Sequence, residues 1–176
     1  MEAERDKVLQ ALQVAVKMEI DGKEFYLKAS QESSNELSKK LLASLASEED
    51  IHRQDFQEIY NAMRIKRAWP KTSFQSDKGK RPRTIFAEAI EVMGTNIETP
   101  SSELDTIKIA MDMENKTYDY YRNQSQIATY DAERDFYEAL AAEEREHYLV
   151  LLDYHEYLSD PAGWFVQKEH PSLDGG

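Results

Sequence analysis

Cysteine is absent from the 176-residue chain. That excludes disulfide staples, thiolate zinc sites and thiolate-held iron–sulfur clusters. Glycine and proline are scarce, at 6 and 5 residues, and fall mostly between helical stretches or near the C-terminal end. No apolar run approaches the ~18 residues needed to cross a bilayer, so no membrane partner is expected. The opening MEAERDKVLQ is charged and lacks the apolar core of a secretory signal, which makes a cytoplasmic location the expectation. Basic residues are in deficit, 22 Lys and Arg against 34 Asp and Glu, for a formal charge of −12. General nucleic-acid binding needs a basic face, so no nucleic-acid partner is expected. Ordinary acidic solubility accounts for the charge; bound cations would offset part of it.

What the chain does have is helical periodicity, in a length that suits one domain with a real core. The first helix is expected from about Glu2 to Ser30, with an inward stripe of Val8, Leu12, Ala15, Glu19, Gly22, Tyr26 and Ala29. SSNE, Ser33 to Glu36, has capping-box spacing and opens a second helix to about Arg67. Its stripe is Leu41, Leu45, Glu49, His52, Phe56, Ile59 and Met63. SELD, Ser102 to Asp105, opens a third helix to about Thr129, with Ile107, Ala110, Glu114, Thr117 and Tyr121 inward. The fourth, about Asp131 to Leu158, turns Phe136, Leu140, Glu144, His147, Leu151 and Tyr154 inward.

The expected organisation is a single domain, 1–176: a helical hairpin over 1–67, a crossover over 68–101, a second hairpin over 102–158 and a tail over 159–176. The crossover contains a short helix at TIFAEAIEVM, and the tail is too rich in Pro and Gly for one. Short turns make antiparallel neighbours, and two such pairs joined by one long crossover give an all-α, ferritin-like four-helix bundle. A plain helical bundle with a lid is the alternative.

The halves repeat. Glu19 and Glu114, Tyr26 and Tyr121, Glu49 and Glu144, and His52 and His147 are each 95 residues apart. Met18 with Met113, Leu45 with Leu140 and Ala46 with Ala141 follow the same shift. One ungapped shift carrying Glu, Glu and His together points to duplication of a helical hairpin.

Each stripe thus carries charge where leucine belongs. Residues three apart on a helix lie ~60° apart and one turn along, so Glu49 faces with His52 and Glu144 with His147. Buried carboxylates without partners cost several kcal/mol each. Two divalent metals would satisfy four glutamates and two histidines converging in one bundle, with one Glu from each of two helices and Glu-x-x-His from the other two. Glu49 and Glu144 are the candidate bridging ligands, His52 and His147 the nitrogen ligands, and Glu19 and Glu114 the terminal carboxylates. Carboxylate with imidazole suits iron or manganese, and zinc fits the same donors. A single Glu-x-x-His on a solvated face would mean nothing; the repeated set carries the reading.

Tyr26 and Tyr121 lie seven residues after the lone glutamates, ~10 Å along the same face. They are candidates for packing in the core, for a hydrogen bond to a ligand carboxylate, or for a nearby electron donor. Glu24, Glu48 and Glu143 are expected at the surface by helical phase. His155 is about 80° off the face of His147 and is assigned to structure or solvent, and His170 to a mobile tail. Trp164 and Phe165 are expected to pack over one end of the bundle. Positions 64–83 hold eight basic residues and one acid, which reads either as a solvated loop or as a docking surface for an acidic partner.

MEIDGKEFY, SEEDIH, MENKTYDYY and AEEREH, together with the tail DPAGWFVQKEHPSLDGG, resemble the rubrerythrin-related branch of the ferritin-like superfamily. The resemblance implies a di-iron protein that reacts with peroxide or oxygen, and a homodimer. Rubrerythrins proper add a rubredoxin-like domain with CxxC pairs. This chain has no cysteine, so a separate electron-donor protein would have to supply electrons. Rubrerythrins also carry an extra carboxylate one turn after the third-helix ligand, where this chain has Thr117, with Gly22 at the equivalent place in the first half. Peroxide or oxygen reduction is the leading expectation. Ferrous-iron oxidation in an iron-handling assembly, or a non-catalytic bundle clamped by metal, are the alternatives.

Overall fold

Two pairs of long helices dominate the computed structural model, which describes residues 2–66, 68–71, 74 and 76–169. Helices α1 (Glu2–Glu32) and α2 (Glu36–Lys66) form one hairpin, and α4 (Ser101–Ile127) and α5 (Asp131–Ser159) the other. The intervening loops, 33–35 and 128–130, are long enough only for direct reversal of the chain. The crossover holds α3 (Lys80–Met93), and α6 (Pro161–Glu169) follows α5. Among the described residues there is no strand, and no helix is long and apolar enough to cross a membrane.

The helices form where apolar residues recur at helical spacing. The buried residues of α1 are Val8, Leu12, Ala15, Glu19, Gly22, Tyr26 and Ala29, the stripe that the spacing alone predicts. The α2, α4 and α5 stripes are likewise buried, except that Thr117 is half-buried. Apolar clusters lie on both sides of a polar middle layer. Towards one end, Leu12, Phe56, Ile59, Tyr121, Phe136 and Tyr137 pack together. Towards the other, Leu41, Leu45, Ile107, Leu151, Tyr154 and Tyr157 do so, joined by Phe86 of α3 and Trp164 of α6. Truncating a fully buried leucine such as Leu12, Leu41 or Leu45 to alanine costs about 2–5 kcal/mol.

The capping box expected at SSNE does not form. Asn35, not Ser33, caps α2, its Oδ1 accepting the Ser38 N–H at 2.8 Å. Ser33 and Ser34 instead donate to the Glu103 carboxylate, which takes Glu103 out of its local role at the start of α4. That long-range bond ties the two hairpins together near their ends. At α5, Glu133 does reach back, accepting the N–H of Thr129 at 2.9 Å and of Tyr130 at 3.3 Å.

The tail also departs from expectation, because residues 161–169 are helical. Pro161 occupies the first helical position, where proline costs nothing. Asp160 accepts the Gly163 N–H at 3.0 Å through its side chain and the Trp164 N–H at 2.9 Å through its carbonyl. The Trp164 indole then donates to Asp153 at 2.9 Å and packs edge-on against Phe86 and Tyr157.

The basic crossover is not simply a solvated loop. Trp69 lies against Phe136 and Tyr137, and Phe74 against Phe136. Arg81 pairs with Glu48 at 3.2 Å, and Arg83 pairs with Glu146.

Candidate metal centre

Two overlapping groups occupy the polar middle layer. Glu19, Glu49, His52 and Glu144 form the first, and Glu49, Glu114, Glu144 and His147 the second; within each, ligand atoms lie within 4.8 Å of one another. Glu49 and Glu144 belong to both. The six residues come from all four long helices and are buried. His52 Nδ1 lies 3.3 Å from Glu144 and 3.6 Å from Glu19. His147 Nδ1 lies 3.5 Å from Glu49 and 3.7 Å from Glu114. The two imidazoles are nearly parallel, 16° apart in plane, with centroids separated by 5.9 Å. The sequence repeat thus becomes an approximate two-fold relation in space.

The tyrosines work crosswise. Tyr26 of α1 donates its hydroxyl to Glu114 of α4, and Tyr121 of α4 donates to Glu19 of α1. A tyrosine seven residues along is too far from the glutamate on its own helix. Antiparallel α1 and α4 bring it to the other glutamate instead. Each bond takes up one carboxylate oxygen and fixes the orientation of the group.

The remaining donor atoms have no hydrogen-bond partner among the described residues. These are both ring nitrogens of His52 and His147, both oxygens of Glu144, Oε2 of Glu19 and Oε1 of Glu49. Leaving so many polar atoms unsatisfied in a core costs about 1–3 kcal/mol for each. Bound metal removes that cost, and the mixed carboxylate–imidazole set fits iron, manganese or zinc. The residues present therefore fit a dinuclear metal centre.

Titration of the cluster is strongly perturbed. Burial, reinforced by Glu144, pushes Glu114 up to about 8. Burial and the adjacent Glu19 push Glu49 well above the usual carboxylate range. For Glu144, burial and Glu49 act upward, but His147 and His52 outweigh them and hold it low. Burial disfavours the charged imidazoles, yet Glu19 and Glu144 around His52, and Glu114, Glu144 and Glu49 around His147, raise both. Tyr26 and Tyr121 are raised by burial and by the carboxylates they bond. Both phenols therefore stay protonated as donors.

Gly22 abuts the cluster: a Cβ there would lie 3.5 Å from Cγ and Oε2 of Glu49. Thr117, at the equivalent place in the second half, donates its hydroxyl back to the Met113 carbonyl at 3.1 Å. Phe74, from the crossover, stands edge-on to His52 with centroids 5.8 Å apart. No periodic signal marks a single loop aromatic in that role.

Glu24 is exposed as expected, but Glu48 and Glu143 are buried. Helical phase puts them off the seam correctly; the crossover then covers them. His155 is half-buried, within 3.5 Å of the Ser159 hydroxyl, and His170 lies outside the described residues.

The fold and the cluster together define a ferritin-like helical bundle with a carboxylate–histidine core. The family model described as Rubrerythrin matches residues 10–154, and the chain belongs to that family. A hypothetical protein from Pyrococcus furiosus shares the fold, with a TM-score of 0.63 and 22% identity over 86% of this chain and 89% of that one. Comparison with curated proteins gives no match.

Proposed function

We propose that the chain is a di-iron protein that reduces hydrogen peroxide or oxygen with electrons from a separate donor. Glu19 and His52 would hold one iron and Glu114 and His147 the other, with Glu49 and Glu144 available to both. The observation that carries this reading is the set of buried nitrogens and oxygens at the middle of the bundle that have no hydrogen-bond partner among the described residues. When bound, the iron pair would supply two electrons, one from each ion, to the oxidant.

The chain's own residues do the rest. Tyr26 and Tyr121 hold Glu114 and Glu19 in fixed orientations, the kind of outer support that stabilises metal ligands. Leu45, Ile107 and Leu151 on one side, and Phe56, Phe136 and Leu140 on the other, keep bulk water from the layer. Phe74 shields the edge of His52. Exposed Lys78 and Lys80 on the crossover offer an acidic donor protein a basic landing place, where complementary charge speeds encounter. Manganese suits the same donors; zinc would leave the centre without redox chemistry.

Ferrous-loaded protein mixed with hydrogen peroxide without oxygen tests the reading. Rapid loss of one peroxide for about two ferrous ions, each giving one electron, is expected. Peroxide loss no faster than with free ferrous iron would reject it. A very large iron-filled particle in solution would turn the assignment to iron handling.

A further inference from the structure

Outside the six-residue cluster lies a second set of carboxylates. One oxygen each from Glu48, Asp77 and Glu143 lies within 4.8 Å of the others. Glu48 on α2 and Glu143 on α5 are 6% and 1% exposed, and they too are 95 residues apart. Asp77 comes from the crossover and has no counterpart in the repeat. Its carboxylate is fixed by the N–H groups of Lys80 at 3.2 Å and Arg81 at 3.3 Å. Gly79 makes this approach possible, since its φ is 68° and a Cβ there would come within 2.9 Å of the Glu146 Cβ.

An acidic trio alone would mean little, because a helix cap beside two glutamates arises often. Glu143 is what sets this one apart. It is almost fully buried, its carboxylate is part of the trio, and its Oε2 has no hydrogen-bond partner among the described residues. Arg81 reaches Glu48, Nη1 to Oε1 at 3.2 Å, and so answers one of the three charges. A buried carboxylate oxygen without a donor or a cation is costly.

We propose that Glu48, Asp77 and Glu143 bind a divalent cation at a site separate from the dinuclear centre. Its donors are all oxygen, unlike the mixed nitrogen and oxygen set of the cluster, and so favour a hard ion such as manganous, ferrous or magnesium. Glu49 and Glu144 directly follow Glu48 and Glu143, so the ion sits off the seam of α2 and α5, under the crossover. Arg81 competes with it for Glu48. The site rests on its own residues and stands whether or not the dinuclear centre performs redox chemistry.

Titration with Mn2+, reading the free ion by its paramagnetic resonance signal, tests this on the whole chain. Asp77→Asn and Glu143→Gln should each bind one equivalent fewer than the unaltered chain, or bind it at least about tenfold more weakly, the lower end of what even outer-shell changes cost. The amide introduced by Asp77→Asn keeps an oxygen for the α3 cap, and circular dichroism checks that helix content is unchanged. Arg81→Gln should bind the ion several-fold more tightly, an effect that damage to the fold would not mimic. His52→Ala/His147→Ala should retain this equivalent, and adding Asp77→Asn should remove it. Identical Mn2+ numbers and affinities in the unaltered chain, Asp77→Asn and Arg81→Gln would overturn the proposal. So would loss of all Mn2+ binding in the double-histidine variant, an outcome that leaves the dinuclear reading intact.

Discussion

Loading the buried cluster with divalent metal at neutral pH should expel protons into solution. Glu114, pushed up to about 8 by burial and Glu144, holds a proton at pH ~7, as do the two histidines, whose carboxylate neighbours outweigh burial. Metal needs all three groups deprotonated, so protons leave on loading, raised Glu49 contributing as well. Release shrinks as pH rises through about 8. The same shifts set the stability of the metal-free chain. Glu114 has a folded pKa above its ordinary 4.5, so its contribution is full below about 4.5 and is lost as pH rises through about 8. The raised histidines act in the same direction. Lowered Glu144 acts oppositely, its contribution being lost as pH falls. At ~1.4 kcal/mol per unit, Glu114 alone accounts for on the order of 4 kcal/mol between about pH 5 and 9. Calorimetric Mn2+ or Zn2+ titrations in two buffers of different ionisation enthalpy count the protons, and denaturant unfolding at stepped pH gives the stability. Binding without proton release, with metal-free stability flat towards alkaline pH, would refute the reasoning.

Tyr26→Phe and Tyr121→Phe each strip a donor from a buried carboxylate. Each should lower unfolding free energy by about 1–3 kcal/mol and metal affinity by about ten- to a hundredfold, read by thermal melts and competitive chelation. Glu144→Gln alters both ligand groups and should weaken both metals, whereas His52→Ala should weaken one; elemental analysis after desalting separates these outcomes. Gly22→Ala places a Cβ 3.5 Å from Glu49, an ordinary contact, so the helix should gain about 1 kcal/mol and Tm should rise. A fall in Tm would show that Glu49 needs the space. Neutralising Lys78 and Lys80 should flatten the salt dependence of electron transfer from an acidic donor; unchanged kinetics would remove that surface from the account.

How far each feature could be read in advance depended on whether its cause was local. Glu19, Glu49, His52, Glu114, Glu144 and His147 stand out because a charge on an apolar stripe breaks a periodic pattern. The crosswise bonds from Tyr26 and Tyr121 required the antiparallel register of α1 and α4, which no single helix reveals. Glu48 and Glu143 follow the helical phase of surface residues and are buried only because the crossover folds over them. Ser33 had the spacing of a cap, but the Glu103 carboxylate from the other hairpin claims its hydroxyl. Helix α6 was hidden by Pro161 and Gly163, whose composition suggests a turn. The Asp160 cap and the Trp164 anchor on Phe86 decide otherwise.

The most direct test of the central claim is anomalous diffraction at the iron edge from crystals of ferrous-loaded protein. The account predicts two strong peaks between the imidazoles of His52 and His147. One should lie within bonding distance of His52 and Glu19, the other of His147 and Glu114, and both should be in reach of Glu49 and Glu144. Density showing no metal between the histidines, with their rings hydrogen-bonded directly to the glutamates, would contradict it.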